Sequence, residues 1–169
     1  MTATFSGSVT VSVAGTLLNT ASIGTSGYNI NYPKTLDYAN GTGASMANMV
    51  WTDTRTLAAS ATESLDLAGS LSNAFGSIVT FTAIKGIIIS ASSGNTNNVI
   101  VGGAASNAFI NWVGDATDTV IIQPAGTFCL MTSKAGGYPV TASTGDILKI
   151  TNSSSGSSVT YDIILLGNV

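Results

Sequence analysis

Apolar and polar residues alternate over short segments of this chain, with the period of two that is typical of β-strands. Strand-like pieces occur at "SVTVSVAG" (8–15) and "YNINY" (28–32). From residue 51 onward the pattern sharpens and predicts strands at 61–68, 78–91, 97–102, 108–113, 119–123, 127–132, 146–151 and 158–166. Turn-forming segments such as "SSGNTN", "QPAG" and "NSSSGSS" separate these strands.

This spacing predicts an all-β fold. About eight short strands, roughly ten residues apart and without helical patterns between them, indicate an antiparallel β-sandwich or barrel. We predict a jelly-roll-like sandwich over residues 51–169, preceded by a less regular N-terminal arm with peripheral strands over residues 1–50. An immunoglobulin-like sandwich is the second choice, and the chain lacks the paired cysteines of the antibody type.

Two predicted strands carry apolar residues on both faces. A strand with one face in water should be polar on that face, yet 78–91 and 158–166 are apolar on both sides near one end. We interpret the extra apolar side chains as a subunit interface: Ile84, Ile88, Ile164 and Leu166. The alternative is that the N-terminal arm, or a loop of the same chain, covers them.

Lys85 falls on the core side of the strand at 78–91, next to Gly86. Lysine is rarely fully buried without a partner. A β-bulge at Gly86 would turn Lys85 outward.

The charged fraction is 8%, against about 25% in ordinary soluble domains. Neutral hydroxyl and amide groups must therefore keep the surface soluble, or a partner covers part of it, and the mean hydropathy of +0.40 favours the partner. The five basic residues are dispersed and the net charge is −3, which disfavours nucleic-acid binding. No apolar run approaches the roughly 18 residues of a membrane span, and the N-terminal sequence predicts no secretory signal.

The residues that usually carry catalysis are scarce. The chain has no histidine, and its single cysteine, Cys129, lies in the apolar run "TFCLM", where we expect a buried, inert thiol. Asp115 and Asp118 in "GDATDT" suit either a calcium ion or a solvated turn, and the turn is favoured because the D-x-D-x-D-G pattern is missing. We therefore predict no enzyme, no catalytic residue, no cofactor and no metal site.

The run "WTDTRTLAASATESLDLAGSLSNAFGSIVTFTAIKGIIISASSGNTNNVIVGG" (51–103), with its continuation to residue 167, resembles small virion structural proteins of tailed bacteriophages. The resemblance implies a capsid decoration or cement protein with a sandwich or jelly-roll fold. It further implies a homotrimer that binds the major capsid protein, assembles in the host cytoplasm and resides on the capsid surface, without nucleic-acid or membrane partners. We expect the arm to reach a neighbouring subunit.

A different class of function is a tail or head-fibre β-domain that binds host-surface glycans. Aromatic rings stack on the faces of sugars, and Trp51 and Trp112 are the residues that would line such a groove. More often such residues are core or interface anchors.

Overall fold

Residues 4–169, which the computed structural model describes, form thirteen β-strands and no α-helix. The strands are β1 (Gly7–Thr20), β2 (Thr25–Tyr38), β3 (Met49–Leu57), β4 (Thr62–Asp66), β5 (Leu71–Ser72), β6 (Ile78–Val79), β7 (Ala83–Ala91), β8 (Val99–Gly102), β9 (Thr119–Ile122), β10 (Thr127–Met131), β11 (Tyr138–Pro139), β12 (Ile147–Asn152) and β13 (Val159–Asn168). The paired strands are antiparallel throughout these elements. The prediction of an all-β, antiparallel fold is confirmed.

Two sheets make the body of the protein. The first has the strand order β10–β7–β13–β3, with β11 also paired to β7, and the second has the order β4–β12–β8–β9. Apolar side chains of both sheets meet in one core, among them Ile87, Ile163 and Leu165 from the first and Val101 and Ile150 from the second. The predicted β-sandwich is therefore confirmed.

The strand pairs are nested along the chain. Strand β3 pairs with β13, β4 with β12, β7 with β10, and β8 with β9. Residues 49–168 thus run as one long folded hairpin. Two further pairings, β13 with β7 and β12 with β8, close the pairs into the two sheets.

The strand predictions need correction at three places. The predicted strand at 78–91 is interrupted at residues 80–82, so that β6 pairs with β5 and only β7 joins the first sheet. The segment 108–113 is not a strand but a loop of turns, in which Ala108 forms an isolated bridge. Phe109 and Trp112 pack from this loop, so their apolar character does not indicate a strand. Strand β3 was not predicted, because its inward side carries Asp53 and Arg55 between apolar ends and so hides the alternation.

A β-bulge interrupts β7, as predicted from Gly86. Leu166 pairs with Gly86 whereas the next residue, Gly167, pairs with Ile84, so Lys85 has no partner across the ladder. The expectation that Lys85 turns out to solvent is wrong. It is 0% exposed, because its side chain lies under two loops that supply carbonyl oxygens.

Strands β1 and β2 form a separate two-stranded ribbon, named here the ribbon. Its ladder runs without a break from Gly7 opposite Tyr38 to Thr20 opposite Thr25. At about 3.3 Å per residue, a strand of this length spans roughly 45 Å. The ribbon lies within the predicted arm, whose first three residues fall outside the described part of the chain. A linker, residues 39–48, joins it to β3.

Candidate interaction surface

The two faces of the ribbon differ in chemistry. Since directly opposed residues point to the same side of a ladder, the register assigns each side chain to a face. One face is mainly polar, with Leu18 as its one large apolar side chain, and is held by side-chain hydrogen bonds such as Thr10 Oγ1 to Thr35 Oγ1 at 2.9 Å and Thr16 Oγ1 to Asn29 Oδ1 at 2.8 Å. The other face carries Lys34, and Asn19 and Ser26 at the tip, but is otherwise apolar, with Val9, Val11, Val13, Leu17, Tyr28, Ile30, Tyr32 and Leu36.

The base of the apolar face is packed on the sandwich. Val9 and Leu36 contact a cluster made by Tyr38, Ala47 and Leu166, and Leu166 is only 2% exposed. The hydroxyl of Tyr38 donates a hydrogen bond to the carbonyl oxygen of Thr132 at 3.1 Å. Burial raises the pKa of Tyr38. The ribbon is thus anchored at its base in a fixed direction.

The linker is held by Lys85. The ammonium nitrogen of Lys85 donates to the carbonyl oxygen of Gly43 at 3.4 Å, and also to the carbonyl oxygens of Lys134 and Ala135. Burial lowers the pKa of Lys85. Together with the Ser45 N–H, which donates to the Ser133 carbonyl at 2.8 Å, this contact joins the linker to the loop after β10.

Beyond its base, the apolar face of the ribbon is exposed. Leu17 is 69% exposed, Tyr28 68% and Tyr32 65%. With Val11, Val13 and Ile30 these residues expose roughly 700 Å², whereas the largest apolar patch of a typical monomer is about 300–600 Å². A two-stranded ribbon alone is marginal in water, so a surface of this kind is typical of a segment that a partner covers.

The outer face of the first sheet changes from apolar to polar with distance from the ribbon's base. The row nearest the base is covered by the linker and ribbon and runs through Val50, Leu166, Gly86 and Met131. The next row runs through Thr52, Ile164, Ile88 and Cys129. The third row is polar and hydrogen-bonded and runs through Thr54, Asp162, Ser90 and Thr127.

The four residues predicted as an interface separate into two groups. Ile84 lies in the main core with 0% exposure. Leu166 lies under the base of the ribbon, in agreement with the alternative that the N-terminal arm of the same chain covers it. Neither is on a free surface. Ile88 is half-buried and Ile164 is 36% exposed, and both face outward in the middle row. With Cys129 they form a surface named here the outer strip.

Negative charge borders the outer strip. Asp162 lies in the row next to the outer strip and lines a shallow hollow on the outer face together with Thr52 and Ile164. Its carboxylate accepts a hydrogen bond from Thr54 Oγ1 at 2.6 Å. Asp53 is on the inward side of β3, where it lies 3.1 Å from Arg55 Nε. A partner that covers the outer strip therefore meets the Asp162 carboxylate at one side of it.

The loop with Asp115 and Asp118 is closed by its own hydrogen bonds. Asp118 Oδ2 accepts from the Gly114 and Asp115 N–H groups, and Asp115 Oδ1 accepts from the Thr117 N–H and hydroxyl, which lower the pKa of Asp115. The carboxylates are thus used within the turn. In residues 4–169, no group of three or more His, Cys, Asp or Glu side chains is arranged to hold a metal ion.

Both tryptophans are structural. Trp51 is 2% exposed, donates its indole N–H to the Ser72 carbonyl at 3.0 Å and lies 5.5 Å from the guanidinium carbon of Arg55. Trp112 is half-buried, packs against Phe128 with ring centroids 5.7 Å apart, and bonds the Phe109 carbonyl at 2.8 Å. The ring of Trp51 has no free face for a sugar.

Cys129 is half-buried on the outer strip. Burial raises the pKa of its thiol, which keeps the sulfur protonated near neutral pH. The expected full burial is not found, because Cys129 lies half-buried on an outer face, and its lack of reactivity stays a prediction.

No protein-family model matches this chain, and no curated protein or solved structure is significantly similar to it. Over the part of the chain that the structure describes, no helix is long and apolar enough to cross a membrane.

Proposed function

We propose that this protein is a virion structural protein of a tailed bacteriophage, a capsid decoration or cement protein that binds between major capsid subunits and stabilises the head. The observation that carries the proposal is the amphipathic ribbon. It projects an apolar face of roughly 700 Å² from an otherwise well-packed sandwich. An exposed apolar surface of this size is expected of a subunit that is permanently packed against other subunits.

We infer a jelly-roll connectivity for the sandwich. A jelly roll is a double sheet of eight strands made of two Greek keys. The nested pairs β3·β13, β4·β12, β7·β10 and β8·β9 support it, because wrapping such a folded hairpin places alternate pairs in opposite sheets. The same fold is implied by the resemblance to small virion proteins.

The proposed mechanism is mass action. A subunit that binds only the assembled shell stabilises that state by its binding free energy, and a homotrimer adds avidity to individually modest contacts. A chain with only 8% charged residues is compatible with a permanent place in the capsid surface after assembly in the host cytoplasm. The partner in this proposal is the major capsid protein, with no nucleic acid or membrane involved and no catalytic role.

The test uses heads of the encoding phage assembled without this protein. Purified protein is mixed with these heads, bound protein is measured by co-sedimentation, and the heads are then heated to measure DNA release. We expect saturable binding and release at a higher temperature. Heads that neither bind the protein nor gain stability would contradict the proposal, and saturable binding to host-surface glycans instead would favour a tail or head-fibre domain.

A matched pair of variants connects this test to the ribbon. Leu17→Thr with Tyr28→Thr makes one cross-strand pair of the apolar face polar, whereas Thr16→Val with Asn29→Val changes the adjacent pair, which lies on the polar face. We expect the first pair to weaken head binding at least about tenfold and the second to leave it within about twofold.

A further inference from the structure

We propose that the apolar face of the ribbon docks on a second copy of this chain, over the outer strip of Ile88, Cys129 and Ile164. The inference deepens the proposed function and rests on it only in assuming that the contact also forms in a virion. We call this contact between copies the ribbon exchange, and it is a property of the free protein.

The ribbon cannot cover its own outer strip. Its base is fixed by the packing of Val9 and Leu36 and by the Tyr38 hydroxyl on the Thr132 carbonyl. The ladder has no bulge over its whole length, so it offers no hinge at which the distal part could fold back. Within one chain, both the distal face of the ribbon and the outer strip therefore remain in water.

The two exposed surfaces match in chemistry. The outer strip is a row of apolar side chains on the outer face of the first sheet, next to the row that the base of the ribbon covers. The ribbon presents apolar side chains from two strands in register, which is the complementary shape for packing one sheet on another. Each copy thus carries both halves of the contact.

The size of the ribbon's face fits a specific contact. Its roughly 700 Å² of exposed surface is close to the about 800 Å² per partner of a stable protein interface. A small ligand would cover only a fraction of it, whereas a second sandwich can cover the part of it that lies over the outer strip and the neighbouring rows.

The charges of the two surfaces are complementary. Lys34 is the one charged side chain on the apolar face of the ribbon between residues 7 and 38. Asp162, in the adjoining polar row, borders the outer strip of the receiving copy. A ribbon docked there can pair its Lys34 with the Asp162 carboxylate, so that the cation is not buried among apolar groups.

A head-to-tail arrangement follows if each copy gives its ribbon to one neighbour and receives the ribbon of another. The contact is then heterologous, and three or more copies close it as a ring. Every copy in the ring has its outer strip and the facing part of its ribbon covered. A trimer is the ring size proposed above.

The test is photo-cross-linking of the full chain. p-Benzoylphenylalanine replaces Tyr32 on the apolar face or Asn31, its neighbour on the polar face, and the protein is irradiated at about 10 µM. We expect covalent dimers from position 32, with cross-linked peptides that contain Ile88 or Ile164, and at least about tenfold fewer from position 31.

Sedimentation equilibrium gives a second measurement. We expect Ile164→Asp to weaken self-association at least about tenfold, whereas Thr127→Asp, in the polar row of the same outer face, changes it by less than about threefold. A wild-type protein that stays monomeric at this concentration overturns the inference, and so do position-32 cross-links to another ribbon in place of the outer strip.

The two proposals fail in different ways. Exchange in the free protein without binding to heads overturns the proposed function and leaves the ribbon exchange standing. Binding to heads by a protein that stays monomeric overturns the exchange and leaves the proposed function standing.

Discussion

Tyr161 of β13 donates its hydroxyl hydrogen to a carboxylate oxygen of Glu63 on β4, and this hydrogen bond links the two sheets of the sandwich. The second oxygen of Glu63 accepts from Arg55 Nη1 of β3 at 2.8 Å, which is another link between the same sheets. Tyr161 is 1% exposed. Its pKa is raised, first because it is buried and then because its hydroxyl donates to the Glu63 carboxylate.

Alkaline pH should therefore destabilise the protein through Tyr161. The unfolded chain loses the phenolic proton near pH 10, but the folded chain retains it, so the folded state binds more protons above that pH. The stabilising contribution is complete below about pH 10 and falls by up to about 1.4 kcal/mol per pH unit above it. Urea unfolding between pH 8 and 11 measures this slope.

Tyr161→Phe removes the titrating group and the hydrogen bond together. We expect it to cost about 1–3 kcal/mol at pH 8, because Glu63 loses a buried donor, and to make the alkaline slope shallower. Tyr28→Phe, on the exposed ribbon, is the control and should leave both quantities unchanged. An unchanged slope in Tyr161→Phe would contradict this account.

The regular part of the fold follows from the alternation of side chains. The predicted strands at 146–151 and 158–166 agree with β12 (Ile147–Asn152) and β13 (Val159–Asn168) to within two residues. These strands lie in the middle of their sheets, so burial of alternate side chains dominates their sequences.

The ribbon shows what alternation alone does not determine. Val9, Val11 and Val13 indicate a strand with one apolar face, but only the pairing with Tyr32 and Leu36 shows that both strands place their apolar residues on the same side. Whether the rest of the chain packs on that side depends on where the ribbon leaves the body, which local sequence does not encode.

Lys85 shows a second kind of feature that the local sequence does not predict. Its neighbour Gly86 signals the bulge, but the carbonyl oxygens that receive the ammonium come from residues 43, 134 and 135, far away in the sequence. Such a contact is visible only once the chain is folded. The Tyr161 to Glu63 bond was missed for the same reason, since the two residues are 98 positions apart.

Replacing Lys85 with methionine should loosen the linker of the ribbon. The side chain keeps its volume, but the carbonyls of Gly43, Lys134 and Ala135 lose a shared donor, for which we expect a loss of about 1–3 kcal/mol. Hydrogen exchange should become faster at the Ser45 N–H, which bonds the Ser133 carbonyl. Lys134→Met, at an exposed side chain, is the matched control.

The pH dependence separates the charge of Lys85 from its packing. Because its pKa is lowered by burial, the folded state binds fewer protons than the unfolded chain between that lowered value and about 10.4. The contribution of Lys85 to the stability of the wild type therefore rises with pH across that window. The rise should be smaller in Lys85→Met, and an equal rise in both proteins would show that Lys85 does not titrate in this way.

Gly167 permits the close approach of β13 to β7 at the bulge. A Cβ at this position would lie 2.2 Å from the Ala83 carbonyl oxygen and 3.0 Å from Phe81 Cδ1. We expect Gly167→Ala to cost at least about 1–3 kcal/mol, measured by urea unfolding, because the backbone must move. Gly15→Ala on the ribbon, where a Cβ meets nothing within 4 Å, should be neutral or slightly stabilising.

Leu166 and Ile164 test the division between the covered and the exposed part of the outer face. Both side chains point to the same side of β13, but Leu166 is 2% exposed under the ribbon's base and Ile164 is 36% exposed on the outer strip. Leu166→Ala leaves a cavity and should cost about 2–5 kcal/mol. Ile164→Ala should cost less than about 1 kcal/mol in the dissociated chain.

The measurement must be made where the chain is dissociated, because self-association adds a stability that depends on concentration. At low concentration Leu166→Ala should be the less stable variant. At a concentration where copies associate, Ile164→Ala should lose the additional stability that the wild type gains, since the ribbon of a neighbour has less surface to cover. If Ile164→Ala destabilises the dissociated chain as much as Leu166→Ala does, the outer strip is packed within the subunit and is not a docking surface.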